Sequence, residues 1–282
     1  MLKPIFEKSA KGEVKANYQK IKTALDLPSL PVFFTYLGSF PQYLDHITDQ
    51  IVSNLLHPNF ERISEETSSN LQSLIKASLK KSDEIEKWLQ LYKNSPSFYY
   101  FQNDLRNIFH TNIKLAFIFM CLREALKGWA IAAKKLASSK TESVDEVSKK
   151  TVPGGADSEF IFEDFNSETE SVVKRQPVSE NSLTIRGNST LEKDMLPEYL
   201  RLCRRDFLSI LKRDEFWVLR VGVEEMMLRN LTLMPDLIFS PINLTLKLTT
   251  NNPEYPDLLY LLAEHFPTYA MQRMLFSGFM LE

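Results

Sequence analysis

Glycine is scarce in this 282-residue chain, which contains eight in all. An average usage of roughly 7% would supply more than twice as many. Three of the eight, Gly154, Gly155 and Gly187, fall in one polar stretch. The five that remain are too few for glycine-rich phosphate loops, dinucleotide-binding fingerprints or a many-turned β-sandwich. The shortage therefore disfavours nucleotide binding and an all-β fold.

Cysteine and metal-ligand patterns are equally sparse. The two cysteines, Cys121 and Cys203, are far apart and lie among apolar residues, which is typical of small buried hydrophobic side chains. No CxxC and no Cys/His metal spacing occurs, and the histidines are scattered, at His46, His57, His110 and His265. We therefore expect no disulfide framework, no metal and no cofactor.

Neither one sign of charge nor a long apolar run dominates the chain. It has 34 basic and 36 acidic residues, so it lacks the basic excess typical of nucleic-acid binders. The best membrane candidate is eight uncharged residues, Leu115 to Leu122, against about 20 for a spanning helix, and the N-terminus lacks the apolar core of a secretory signal. We expect a soluble cytoplasmic protein with no nucleic-acid or membrane partner. The oligomeric state stays open.

The pattern that is present is helical. Val14, Tyr18, Ile21 and Leu25 follow the spacing of one helix face. A second stripe has the same kind of spacing and comprises Leu196, Tyr199, Cys203, Phe207 and Ile210. Alternating strand-like runs are nearly absent. The sequence predicts an all-α fold of unequal helical repeats.

Local signals divide the first half further. Residues 60–93 contain two charged amphipathic stretches, and Asp83 is well placed to cap the second one. Residues 97–136 predict either one very long helix or two helices that meet near His110 to Asn112. Four consecutive aromatic residues, 98–101, point around a helix, so most of them are expected in the core.

Residues 138–190 differ from the rest of the chain. They carry ten acidic and six basic residues with little periodicity, which predicts an acidic flexible linker. An apolar knot within it is formed by Phe160, Ile161, Phe162 and Phe165. This knot is either a strip that docks on the protein's own surface or a short peptide that a partner recognises.

A weak internal repeat joins the two halves. Four matches keep their order along the chain and pair Tyr18 with Tyr199, Phe33 with Phe216, Asn54 with Asn230, and Pro96 with Pro267. Four matches in register make a duplicated helical unit plausible. We therefore predict a first repeat at 1–137, the linker at 138–190 and a second, shortened repeat at 191–282, with a ligand cleft where two such copies meet.

The opening of the chain resembles a known family. The matching residues are Gly12-Glu13-Val14, Tyr18-x-x-Ile21-Lys22, Leu27-Pro28, Pro31-x-Phe33, Leu37 and Phe40-Pro41-x-Tyr43-Leu44, followed by Asn94-Ser95-Pro96 and Val152-Pro153-Gly154-Gly155. They are similar to the cofactor-independent, non-stereospecific 2-haloacid dehalogenases, also called the halocarboxylic acid dehydrogenase family. The similarity covers mainly residues 1–58. The resemblance implies an all-α pseudo-dimer related to alkylhydroperoxidase-like helical proteins.

The resemblance also implies a reaction. An acidic side chain activates water, which displaces halide directly at the α-carbon of a small 2-haloalkanoic acid, without a metal or a covalent ester. Such a base is a carboxylate in a mostly apolar cleft. The family's catalytic acid precedes an aromatic residue at a helix start, which corresponds to Glu215 before Phe216, with Asp214 at the preceding position.

The ligand-binding positions that the resemblance implies have changed in part. Ser29 stands where the family has an aromatic residue, Val32 and the adjacent Phe33 would form an apolar wall, and the family's amide side chain falls near Asn94 or Ser95. The substrate-binding candidates are thus Ser29, Val32, Phe33, Asn94, Ser95 and Phe216. Asp214 and Glu215 could instead have a purely structural role, because such residues are also typical of a helix N-cap and first turn.

The leading hypothesis is a dehalogenase-like hydrolase for a 2-halocarboxylic acid, whose activity the altered pocket puts in doubt. A non-catalytic helical protein that binds a small apolar ligand or a protein partner is the alternative, and a scaffold acting through residues 138–190 is a third. An acidic residue that faces an enclosed cleft would favour the enzyme. Glu215 on an open surface would favour the binding protein.

Overall fold

The computed structural model describes residues 2–127, 189–234, 238 and 241–282. All regular structure in these ranges is helical, which confirms the all-α prediction. None of the helices in them has both the length and the apolar character needed to cross a bilayer. The predicted linker, apart from its last two residues, lies outside the described residues, and so does the apolar knot at 160–165.

The helices of the described residues occur in the following order along the chain. They are α1 Gly12–Ala24, α2 Val32–Leu37, α3 Pro41–Leu56, α4 Pro58–Ser78, α5 Asp83–Tyr92, α6 Pro96–Leu126, α7 Ser189–Ile210, α8 Asp214–Leu231, α9 Ile242–Asn251, α10 Tyr255–Tyr260 and α11 Phe266–Met280. A π-helical turn, Leu261–His265, joins α10 to α11, and the Phe266 N–H donates to the Leu261 carbonyl five residues earlier.

Two compact units are built from these helices, and each unit is discontinuous in sequence. The first unit takes the described parts of 1–67, 113–153 and 225–271, and the second takes those of 68–112, 154–224 and 272–282. Each unit therefore draws on both halves of the chain. The duplication inferred from the four sequence matches stays a prediction.

In the first unit, an N-terminal strap of residues 2–10 is tied down around Tyr18. The Tyr18 hydroxyl is within hydrogen-bond distance of the carbonyls of Ile5 (2.9 Å) and Thr35 (3.1 Å), and the Ile5 N–H donates to the Thr35 carbonyl at 2.9 Å. Gly38 lies against the same hydroxyl, since a Cβ placed there would be 2.0 Å from the Tyr18 oxygen. The strap, α1 and the end of α2 are thus fixed at one buried point.

An aromatic cluster forms part of the core of the first unit. The Phe33 ring centroid lies 5.0 Å from that of Phe119 and 5.4 Å from that of Phe266, and Phe34 and Tyr36 contact the same cluster. Tilted and edge-on rings at these separations add to the stability from burial. Phe266 directly follows the π-helical turn, so the turn sets its register against Phe33.

The core of the second unit is centred on Tyr199 of α7. Its ring packs against Trp88 at 4.7 Å and Phe98 at 5.2 Å, and its hydroxyl donates to the Met280 carbonyl at 2.7 Å. The Gln102 amide donates to the same carbonyl at 3.2 Å. Burial raises the pKa of the Tyr199 hydroxyl well above its ordinary value, so it remains a donor at physiological pH.

Most of the helix predictions are confirmed. Every residue of the two predicted stripes is buried, and α4 and α5 are the two amphipathic stretches. The long pattern from residue 97 is one helix that runs through 110–112 without a break. Cys121 and Cys203 are both buried, as expected.

Two local expectations need correction. The N-cap of α5 is Ser82 rather than Asp83, because the Ser82 hydroxyl accepts from the Ile85 N–H at 3.5 Å. In the aromatic run 98–101, Phe98 and Phe101 are core residues, whereas Tyr99 and Tyr100 are 62% and 52% exposed. A helix that is buried on one face cannot bury four consecutive side chains.

Candidate functional site

Asp214 and Glu215 are the first two residues of α8. The turn before them ends α7 with a hydrogen bond from the Arg213 N–H to the Ile210 carbonyl at 3.0 Å, and α8 then begins with one from the Phe216 N–H to the Arg213 carbonyl at 3.2 Å. Acidic side chains are favourable in a first helical turn because they oppose the positive end of the helix dipole. Both side chains are exposed, so water solvates both carboxylates.

Phe216, the next residue, faces the opposite way and is fully buried. Its ring contacts Phe207 at 5.7 Å and Trp217 at 5.4 Å, and the Trp217 indole N–H donates to the Leu211 carbonyl at 3.1 Å. The guanidinium carbon of Arg220 lies 5.4 Å from the centre of the Trp217 ring, a cation–π distance. Phe216 therefore anchors the start of α8 to the core of the second unit.

Asn94 and Ser95 lie in the turn between α5 and α6. Asn94 is exposed. The Ser95 hydroxyl accepts from the Phe98 N–H at 3.2 Å and lies 3.7 Å from the Met195 sulfur. With Pro96 at the first helical position, Ser95 makes a typical helix N-cap. The Ser95 side chain thus has a structural role of its own.

Ser29, Val32 and Phe33 belong to the first unit. Ser29 is exposed in the loop that precedes α2, Val32 is half-buried at its first turn, and Phe33 is buried in the aromatic cluster. A residue outside the loop holds it in place, because the Leu30 N–H donates to the Glu7 carboxylate at 3.1 Å. Lys22 of α1 pairs with the other oxygen of the same carboxylate.

The predicted site residues are therefore divided between the two units. Asp214, Glu215 and Phe216 share one helical turn of the second unit, which also contains Asn94 and Ser95. Ser29, Val32 and Phe33 form a second group in the first unit. Their catalytic and binding roles stay predictions.

Two carboxylates that the sequence analysis passed over are the buried acids of the described residues. Asp206 accepts from the Ser82 N–H at 2.9 Å and so supports the start of α5. Glu124, in the last turn of α6, is 5% exposed and lies 3.3 Å from the Arg123 guanidinium. The sequence signal that could have indicated Glu124 is the charged pair Arg123-Glu124, which ends the apolar run 115–122.

The described ranges bring together no group of three or more His, Cys, Asp or Glu side chains that could hold a metal ion. Glu7, Asp206 and Glu124 are instead neighbours of arginine, lysine or backbone N–H groups. They are suited to accepting hydrogen bonds or a proton.

The fold is similar to that of solved D-2-haloacid dehalogenases. A structure of a D-2-haloacid dehalogenase mutant matches with a TM-score of 0.63 at 11% identity, covering 99% of this chain and 94% of that one. A mutant in complex with D-2-CPA gives 0.60 at 13% identity with the same coverage. A complex of D-2-haloacid dehalogenase with L-LA gives 0.61 at 11% identity, covering 99% and 95%.

These likenesses extend over nearly the whole length of both chains. No protein-family model matches the chain, and no curated protein sequence does. At 11–13% identity the similarity shows the fold. The chain is an all-α protein with a dehalogenase-like fold, and what it does is a separate matter because one fold supports several functions.

Proposed function

We propose that the protein is a dehalogenase-like hydrolase that acts on a small 2-halocarboxylic acid. The observation that carries the proposal is the shared fold over nearly the full length of three D-2-haloacid dehalogenase structures, one with D-2-CPA and one with L-LA. The ordered matches in the first 58 residues point to the same family independently of the structure.

The proposed reaction needs one base and no cofactor. A carboxylate takes a proton from water while the water oxygen attacks the α-carbon, the carbon–halogen bond breaks, and halide leaves with the bonding electron pair. The products are a 2-hydroxy acid, halide and one proton. The assigned base is Glu215, with Asp214 as the neighbouring carboxylate of the same turn.

The base assignment makes a physical demand. A general base for water works best when it is partly desolvated, so that its pKa approaches the working pH. Glu215 is exposed, so the proposed role requires that it lose water when the substrate binds. Glu124 is already buried and is the acid to test beside it.

Halide release tests the function directly. The chain is incubated with both enantiomers of 2-chloropropionate, and chloride and 2-hydroxy acid are measured together. Equal amounts of the two products are expected. Glu215→Gln is expected to lower kcat by at least about a hundredfold, the typical worth of a positioned base. Glu225→Gln, which removes an exposed carboxylate from the same helix, should leave kcat unchanged.

A single turnover in oxygen-18 water tests the mechanism. With enzyme in excess, direct attack by water places the label in the first product formed. An ester intermediate would instead deliver unlabelled oxygen from a protein carboxylate first. If neither enantiomer yields chloride, the proposed reaction is overturned. Loss of activity in Glu124→Gln but not in Glu215→Gln would reassign the base.

A second candidate is a non-catalytic protein that binds a small, largely apolar ligand without converting it. The exposure of Asp214 and Glu215 favours it, because solvated carboxylates at a helix start need no role beyond the dipole. Ligand-observed NMR with 2-chloropropionate and lactate separates the two candidates. Binding without chloride release supports this second function, whereas turnover excludes it.

A further inference from the structure

The second half of the loop between α1 and α2, which spans residues 25–31, has few backbone donors. Two of its last four residues are Pro28 and Pro31, which lack an N–H. Leu30 supplies one of the two amides that remain, and this amide donates to the Glu7 carboxylate. An acceptor 23 residues away thus holds a loop segment that is short of local hydrogen bonds.

Glu7 makes this contact from a fixed position. The strap that carries it is bound at two points just before Glu7, where the Ile5 N–H donates to the Thr35 carbonyl and the Lys3 carbonyl accepts from the Ser39 hydroxyl. The second carboxylate oxygen of Glu7 pairs with Lys22, whose side chain is 17% exposed. Both oxygens therefore accept charge-assisted hydrogen bonds, which are stronger than neutral ones.

We propose that Glu7 is a positioning residue, which holds Leu30 and Lys22 at once and so fixes the loop that presents Ser29 and leads into Val32. The proposal rests on the proposed function for the ligand roles of Ser29 and Val32. Glu7 itself contacts no ligand. Its effect is transmitted through the backbone of residues 29–31, which sets where the first turn of α2 begins.

Amide exchange measured residue by residue tests the contact itself. Glu7→Gln keeps the shape of the side chain but removes its charge and its pairing with Lys22. We expect exchange of the Leu30 amide to accelerate about tenfold or more, because the uncharged amide oxygen of glutamine is a weaker acceptor for the Leu30 N–H than the carboxylate. The Ile5 amide on the same strap is the internal reference and should change much less.

Two further variants serve as controls. Lys22→Met removes the ion pair but leaves the bond from Leu30 to Glu7, so it should accelerate Leu30 exchange less than Glu7→Gln does. Glu13→Gln removes an exposed carboxylate from the first turn of α1 and should leave the rate unchanged. Equal acceleration at Leu30 and Ile5 in Glu7→Gln would show general loosening of the strap and would overturn the proposal.

Steady-state kinetics test the consequence for the ligand. Glu7→Gln is expected to raise KM for the 2-halo acid at least about threefold with little change in kcat, the signature of lost ground-state positioning. An unchanged KM would refute the positioning role. If the wild-type chain releases no halide, the proposed reaction fails, and the affinity for 2-chloropropionate from NMR replaces KM. Leu30 exchange decides the contact in either case.

Discussion

Replacing Gly38 by alanine should destabilise the protein through a single buried contact. Gly38 has φ −59° and ψ −25°, a conformation that any L-residue adopts, so alanine causes no backbone strain. A Cβ at this position would lie 2.0 Å from the Tyr18 hydroxyl oxygen and 3.2 Å from the Ile5 Cβ. The Tyr18 ring has to move, and the hydrogen bond that its single O–H shares between the carbonyls of Ile5 and Thr35 is lost.

The expected magnitude follows from those contacts. Loss of this buried hydrogen bond costs about 1–2 kcal/mol, and overpacking of a filled site adds about 1–3 kcal/mol. We therefore expect Gly38→Ala to lower the free energy of unfolding by about 2–5 kcal/mol. That is a large share of the roughly 5–15 kcal/mol typical of a domain.

Urea unfolding followed by circular dichroism measures this cost, and a double variant tests its cause. Tyr18→Phe removes the clashing oxygen, so Gly38→Ala should cost much less in the Tyr18→Phe background, a non-additivity above about 1 kcal/mol. Gly222→Ala is the matched control, because a Cβ there meets nothing within 4 Å and a helical alanine should stabilise by about 0.5–1 kcal/mol. Additive costs, or a Gly38→Ala cost below about 1 kcal/mol, would refute the argument.

Three further outcomes are expected. Tyr199→Phe should cost about 1–2 kcal/mol in urea unfolding, because the Met280 carbonyl loses a 2.7 Å donor; no change would mean that Gln102 satisfies that carbonyl alone. Burial raises the pKa of both cysteine thiols to about 12, so a thiol reagent at pH 8 should label them only after unfolding. Pairing with Lys22 lowers the pKa of Glu7. The contribution of the ionised Glu7 to the free energy of unfolding is therefore present above about pH 4.5 and is lost as the pH falls through the pKa of Glu7 in the folded protein. The difference in stability between wild type and Glu7→Gln should therefore close on acidification.

The helices could be predicted from the sequence because their signal is local. The stripe from Val14 to Leu25 and the one from Leu196 to Ile210 each lie on one helix face, and burial on that face follows directly from the spacing. The single helix through residues 110–112 could not be chosen over two helices in this way. No proline or glycine interrupts the pattern there, yet a break in a helix need not leave either signal.

Contacts between distant residues escaped prediction. Ser82 caps α5 while its own N–H donates to Asp206, 124 residues later, and nothing near Ser82 in sequence indicates that partner. The bond from Leu30 to Glu7 and the close approach of Gly38 to Tyr18 are of the same kind. Each depends on how the chain folds back, so composition and periodicity do not reveal it.

The site at the start of α8 shows a different difficulty, because one local pattern fits two roles. Phe216, Leu219 and Val223 are spaced to form the buried face of the helix, which leaves Glu215 on the outer side with Val218. Val218 is 73% exposed and lies three residues from Glu215, on the same side of the helix. A substrate that desolvates Glu215 therefore has to cover Val218 as well.

Val218→Asp tests whether the exposed face of α8 that carries Glu215 and Val218 takes part in the reaction. A second carboxylate beside Glu215 would keep water and like charge at the base, so kcat/KM for halide release should fall at least about tenfold if Glu215 acts there. The free energy of unfolding should stay within about 0.5 kcal/mol, because the side chain is exposed. Val218→Thr, which keeps the shape without the charge, is the control. An unchanged kcat/KM would argue that the base lies elsewhere, and Glu124 would then be the residue to substitute.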